Sequence, residues 1–188
     1  SIVGLMLRLC SEPGQEDENQ CCTPDAVMQA RRVAARLGFP FYVIDSREYF
    51  YKTIVRSFIS GYESGVTPNP CMSCNEKVRW GFLLEQAKGF GAEFLATGHY
   101  ARVQRDDSGL YSLRRAKDTL KDQSYVLSRL HQQQLEHSLF PLGDYIKTEV
   151  RAIAQKYNLE TAQRKESQDL CFLGHKDYRE FMGRNSPQ

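Results

Sequence analysis

The alternation that opens the chain leaves few folds available to it. Ile2-Val3-Gly4-Leu5-Met6-Leu7 is a continuous apolar run, the pattern of a strand buried on both faces. A polar, acidic loop follows at 11–20 (SEPGQEDENQ). Thr23 can then cap a helix, Pro24 suits its first position and Asp25 complements its N-terminal dipole. Val27, Ala30, Val33, Ala34 and Leu37 recur at helical spacing up to Gly38. Phe41–Ile44 is a second buried-type strand. Ser46 caps another helix, with Phe50, Ile54, Phe58 and Tyr62 on one face and Gly61 and Gly65 at its end. Strand, helix, strand, helix predicts an α/β fold with a parallel sheet and crossover helices.

Further along, Pro68 and Pro70 argue that residues 66–73 (VTPNPCMS) are not helical. A helix is expected from about Asn75 to Lys88, with Val78, Phe82, Leu83 and Ala87 inward. Phe94-Leu95-Ala96 reads as a short strand running into Thr97-Gly98-His99, the end of a parallel strand where ligands bind. Tyr100–Gln104 and Leu110–Arg114 alternate around Asp106–Gly109, a hairpin signature. Short helices are expected at 122–130 and 132–137, a turn at Pro141–Gly143, and an amphipathic helix from Thr148. A polar loop at 160–170 and a last helix over about 176–183, ending at Gly183, complete the reading.

Composition narrows the class. With 188 residues, 41% of them hydrophobic, the chain can bury a core as one domain, or as one and part of another. It is too apolar for a disordered segment. No apolar run approaches the roughly 18 residues of a membrane span, and the opening stretch lacks the basic flank of a secretory signal. A cytoplasmic protein with no membrane partner is therefore expected. The net charge of +2 neither demands nor excludes nucleic acid.

The six cysteines are Cys10, Cys21, Cys22, Cys71, Cys74 and Cys171. Without a secretory signal, such spacing points to metal binding or catalysis more than to a disulfide framework. Three readings of Cys71-Met72-Ser73-Cys74 stay open. Cys74, near a helix N-terminus, can be a nucleophile or redox thiolate; the pair can be half of a metal site completed by Cys171; or both are inert and buried. Cys171 lies on a polar loop (KESQD before it) with Phe172 as an apolar anchor after it, a setting that suits a nucleophile. Cys10, Cys21 and Cys22 receive no role. His99 reads as a hydrogen-bonded turn histidine or a ligand contact, and Lys121-Asp122-Gln123-Ser124 as a charged N-cap.

Five motifs occur in order: TPNPCMSCNEKVRW (67–80), ATGHYARV (96–103), LRRAKDTLKDQSYVLSRL (113–130), FPLGDYIKTEVRAIA (140–154) and RKESQDLCFLG (164–174). Together they resemble the tRNA-specific 2-thiouridylase family of PP-loop ATPases along nearly the whole chain. The resemblance implies an adenine-nucleotide α-hydrolase-like domain that adenylates C2–O of the wobble uridine (U34) with ATP and Mg, then replaces that oxygen with sulfur from a cysteine persulfide. It places Cys74 as nucleophile and Cys171 as persulfide carrier, with a persulfide donor protein and tRNA as partners. Leu7 and Gly98 match ATP contacts; Asn69, Pro70 and Cys71 match the segment at the target base; His99 and Lys121-Asp122-Gln123 match tRNA contacts.

The same resemblance sets further expectations. Residue 1 aligns after the family's first strand and SGGxDSS phosphate loop, and residue 188 before most of its later β domains, so these residues alone are expected not to thiolate tRNA. The expected division is a partial PP-loop domain over 1–145 and its Cys171-bearing continuation with the start of a linker over 146–188. Position 71 is Cys where many family members carry Asp, which makes Cys71, Cys74 and Cys171 an alternative three-thiolate site for a [4Fe–4S] cluster or zinc. An iron–sulfur-dependent variant of the same thiolation, a non-catalytic metal module and another PP-loop synthetase are the competing functions. Residues 71–135 hold ten Lys and Arg against seven Asp and Glu, with Arg114, Arg115, Lys117 and Lys121 clustered, which suits tRNA or simply a solvated face.

Overall fold

The computed structural model describes residues 1–9, 23–159, 170–173 and 177–186. Cys10, Cys21, Cys22, the acidic stretch 11–20 and most of the 160–170 loop lie outside them. In chain order the elements are β1 (Gly4–Arg8), α1 (Pro24–Leu37), β2 (Phe41–Asp45), α2 (Arg47–Phe50), a π-helical stretch (Tyr51–Val55), α3 (Arg56–Glu63), α4 (Pro70–Ser73), a second π-helical stretch (Cys74–Leu83), α5 (Leu84–Gly89), β3 (Leu95–Ala96), β4 (Ala101–Arg105), β5 (Tyr111–Arg115), a 3₁₀ turn (Ser124–Leu127), α6 (Gln132–Glu136), β6 (Ser138–Leu139), α7 (Lys147–Lys156) and α8 (Tyr178–Asn185). The fold is α/β, with parallel strand pairs and connecting helices. It packs as two compact units, Ser1–Cys74 with Ser167–Gln188, and Asn75–Glu166.

In the first unit β1 and β2 pair in parallel, from Gly4 opposite Phe41 to Arg8 opposite Asp45, with α1 as the crossover. Thr23 accepts the Ala26 amide at 3.1 Å and Gly38 ends α1 at φ 76°, as its punctuation predicts. β1 is half-buried over Gly4–Leu7 rather than buried on both faces, since only one neighbouring strand pairs with it among the described residues. Ser46 stands at the N-cap of α2 but does not cap it with its side chain. Its hydroxyl donates to the Arg8 carbonyl at 3.0 Å, and Asp45 accepts the Arg47 amide at 3.1 Å instead.

From Arg47 to Glu63 the chain is one continuous helix, widened by its π-helical stretch, and Phe50, Ile54, Val55, Phe58 and Ile59 are buried along it. Gly61 lies inside α3 rather than ending it. A Cβ there would stand 3.1 Å from the Pro68 ring, and the Val66 amide donates to the Gly61 carbonyl at 2.9 Å, so 64–69 folds back along the helix. Residues 70–73 are helical, against expectation. Pro70 takes the first helical position, where no amide bond is lost, and Asn69 caps the Met72 amide at 3.4 Å. The helix expected from Asn75 therefore begins five residues earlier and runs unbroken to Gly89. α8 likewise passes through Gly183 and ends at Asn185.

In the second unit β4 and β5 form the expected hairpin, with Ala101 opposite Arg115. The two-residue β6, absent from the sequence reading, pairs in parallel with β3. A Cβ at Gly143 would fall 2.0 Å from the Ala101 carbonyl oxygen, so only glycine lets that turn lie against β4. The core of this unit gathers around Trp80, Val78, Ala101 and Leu127.

Candidate functional site

The helix Pro70–Gly89 presents the Cys-x-x-Cys pair on its first turns: Pro70 is buried, Cys71 exposed and Cys74 half-buried. Aligned amides at a helix start favour a thiolate; because the helix begins at Pro70, Cys71 lies in that first turn and Cys74, its fifth residue, lies beyond it. Cys74 also opens a ten-residue π-helical stretch, a winding that recurs at functional sites. α4 packs on the π-helical stretch Tyr51–Val55.

Cys171 sits half-buried on a turn closed by the Leu173 amide donating to the Leu170 carbonyl at 3.0 Å. Phe172 is buried, with its ring 6.0 Å from that of Phe50, 5.2 Å from Phe58 and 5.5 Å from Phe181, all edge to face. Residues a hundred positions apart in the chain thus rest on one helix: α4 against its middle, and the Cys171 turn through Phe50 and Phe58. Among the described residues no group of three His, Cys, Asp or Glu side chains is gathered to hold a metal ion, which does not favour the three-thiolate alternative.

Leu7, expected at the nucleotide, is half-buried near the carboxyl end of β1, opposite Ile44. In the second unit Gly98 follows β3 and is exposed; a Cβ there would come no closer than 3.8 Å to Leu142, so packing alone does not require glycine. His99 lies against Trp80 and Phe140, ring centroids 5.8 and 6.3 Å away, with Nδ1 2.8 Å from the Thr97 hydroxyl. Burial, and secondarily the Arg79 charge, lower its pKa to about 4, so the ring is neutral near pH 7.

The Lys121-Asp122-Gln123 stretch is largely structural in its last two members. Asp122 accepts the Ala116 amide at 2.7 Å and the Ser124 hydroxyl at 2.7 Å; burial pushes its pKa up, but those hydrogen bonds and Arg115 outweigh it and the carboxyl stays below its ordinary value. Gln123 accepts the Tyr100 amide at 3.0 Å through its side chain and donates to the Tyr100 carbonyl at 2.8 Å through its own amide.

Sequence patterning did not find two further features of this unit. Trp80 donates to the Ser138 hydroxyl, which donates to the Gln134 carbonyl, while the Gln134 amide reaches the Glu76 and Trp80 carbonyls. Beside this network a polar cavity of about 480 Å³ is lined by Glu76, Lys77, Ser128, Arg129, Leu130 and His131. The Trp80–Ser138, Gln134–Glu76 and Gln134–Trp80 bonds join residues more than fifty positions apart and leave no periodic trace.

Residues 1–175 match the family model described as tRNA methyl transferase HUP domain. Over 187 residues the chain is 45% identical to the tRNA-specific 2-thiouridylase MnmA 1 of Caldanaerobacter subterraneus subsp. tengcongensis, covering 97% of this chain and 51% of the relative. It is 49% identical over 163 residues to the tRNA-specific 2-thiouridylase MnmA of Carboxydothermus hydrogenoformans (86% and 45%), and 46% identical over 183 residues to that of Acidothermus cellulolyticus (96% and 50%). The chain spans about half the length of these curated relatives.

Proposed function

We propose that this chain, which belongs to the tRNA methyl transferase HUP-domain family, is the nucleotide-binding half of a tRNA-uridine 2-sulfurtransferase. The family description and the relatives' names differ in the group transferred, methyl or sulfur. The docking of the Cys74 and Cys171 segments on one helix of one compact unit favours sulfur, because a relay needs two thiols in one neighbourhood.

The substrates are ATP, with Mg carried on its phosphates, and a tRNA whose wobble uridine leaves its stack. The uridine C2 oxygen attacks the α-phosphorus, pyrophosphate leaves, and a poor leaving group becomes AMP. Cys171 holds a persulfide received from a donor protein. Its terminal sulfur attacks C2 and expels AMP. The Cys74 thiolate then attacks the Cys171 sulfur; the bond to the transferred sulfur breaks, with its electron pair left on the thiolated base, and a Cys74–Cys171 disulfide forms. A thiol reductant restores both cysteines. Bridge formation requires Cα atoms roughly 4.4–6.8 Å apart at that stage.

Leu7 and Gly98 are assigned to the nucleotide, Asn69, Pro70 and Cys71 to the target base, and His99 and Lys121 to the tRNA, with Asp122 and Gln123 shaping the loop that carries Lys121. The neutral His99 serves as a hydrogen-bonding contact rather than a cation. Reducing conditions in the cytoplasm suit this cycle, and among the described residues no helix is long and apolar enough to cross a membrane. The test is nucleoside mass spectrometry of tRNA incubated with the full-length protein, ATP, Mg and a persulfide donor. ATP-dependent 2-thiouridine at the wobble position is expected. A methylated uridine formed from a sulfonium methyl donor, with no thiouridine, would overturn the reading.

A further inference from the structure

We infer that Phe172 is a positioning residue of the sulfur relay: its ring, seated among Phe50, Phe58 and Phe181, holds the Cys171 turn on the helix that also carries α4, and so governs how readily Cys171 meets Cys74. This rests on the relay reading above and adds to it the residue that keeps one of its two sulfurs in place.

The four rings form one buried cluster, with Phe172 7% exposed, Phe50 0%, Phe58 2% and Phe181 3%. Phe172 meets three partners edge to face, at interplanar angles of 63°, 79° and 65°. That is the favoured aromatic geometry, and such a ring removes a large apolar area from water. Phe58 also meets Phe181 at 6.1 Å and Tyr62 at 4.9 Å, and Tyr62 stacks on Tyr178, so α8 braces the same cluster. Cys171 is one peptide away, with its Cα about 3.8 Å from that of Phe172. The Leu173 amide closes the turn Leu170–Leu173 with a 3.0 Å bond to the Leu170 carbonyl, and the Phe172 ring ties the turn to three side chains on two helices. Helix Arg47–Glu63 bears Phe50 and Phe58 on either side of the stretch against which α4 lies. Seating the ring therefore fixes the Cys171 turn relative to the scaffold beneath α4.

The experiment uses the full-length protein and diamide. Two thiols give up two electrons and two protons to the azo bond, which becomes a hydrazine, and an S–S bond forms. The rate of the Cys74–Cys171 bridge is followed by mass spectrometry of unreduced peptides in wild type, F172A, F172L and F181L. Phe172→Ala is expected to slow the bridge about tenfold or more and Phe172→Leu about three- to fivefold, as a displaced reacting group does. Phe181→Leu loosens the same cluster without replacing the anchor and is expected to stay within about twofold, as is alkylation of Cys74 in every variant, which reports local thiol chemistry. Should Phe172→Ala not fold, the contrast between Phe172→Leu and Phe181→Leu decides alone. Equal bridging rates in those two variants would overturn the positioning role while leaving the relay intact. No Cys74–Cys171 bridge in wild type would overturn the relay reading, and this inference with it.

Discussion

Trp80 donates its indole N–H to the Ser138 hydroxyl at 2.5 Å, both residues being buried, and so ties the π-helical stretch Cys74–Leu83 to strand β6. Ser138 passes the bond on to the Gln134 carbonyl at 2.6 Å. Removing the hydroxyl leaves a buried indole N–H without its acceptor. Ser138→Ala is expected to cost about 1–3 kcal/mol in denaturant unfolding, whereas adding Trp80→Phe, which removes the orphaned donor, should recover part of the indole-specific loss. A Ser138→Ala variant as stable as wild type would show that this bond carries little.

His99 makes stability pH-dependent in a defined direction. Its pKa is lowered to about 4 by burial, and then by Arg79, from an ordinary 6.5. The unfolded chain takes up the proton first as pH falls, so stability is fully present above about 6.5 and is lost progressively down to about 4. The whole effect is on the order of 3 kcal/mol. His99→Gln should flatten the profile in that window, and an NMR titration placing the ring near 6.5 would contradict the account.

Two helical glycines should answer differently to alanine. At Gly183 a Cβ meets nothing within 4 Å, so Gly183→Ala is expected to stabilise α8 by about 0.5–1 kcal/mol. At Gly61 the Cβ would press on Pro68 at 3.1 Å, so the helical gain is offset and the 64–69 segment is pushed from α3. Thermal unfolding of the two variants checks this; equal gains would contradict the close approach.

The basic cluster should be read through salt. Replacing Arg114, Arg115, Lys117 and Lys121 by Gln is expected to reduce the slope of log affinity for tRNA against log salt by about two. Arg115 lies 3.7 Å from Asp122 and Lys117 3.3 Å from Glu149, which blunts their share. An unchanged slope would remove the cluster from the tRNA surface.

Local rules carried much of the fold. Thr23, Pro24 and Gly38 mark α1, the hairpin sits where Asp106–Gly109 places it, and the parallel pairing of β1 with β2 follows from the alternation. The errors were also local. Pro70 breaks a helix only in its interior and is tolerated at the first helical position it takes here, and β6 spans two residues, too few to leave a pattern. Motif order pointed to Cys74 and Cys171, but no spacing rule could say that both segments rest on the helix from Arg47 to Glu63, because that depends on ring contacts between Phe172 and residues over a hundred positions earlier. The Trp80–Ser138 bond was hidden for the same reason.

The most direct measurement is the location of the relayed sulfur. Full-length protein carrying Cys74→Ser is charged by a persulfide donor without ATP or tRNA, and its peptides are mapped by mass spectrometry. The account predicts one extra sulfur atom on the Cys171 peptide, retained because its resolving thiol is gone. Sulfur on a different cysteine, or thiolated tRNA formed at the wild-type rate by Cys171→Ser, would contradict it.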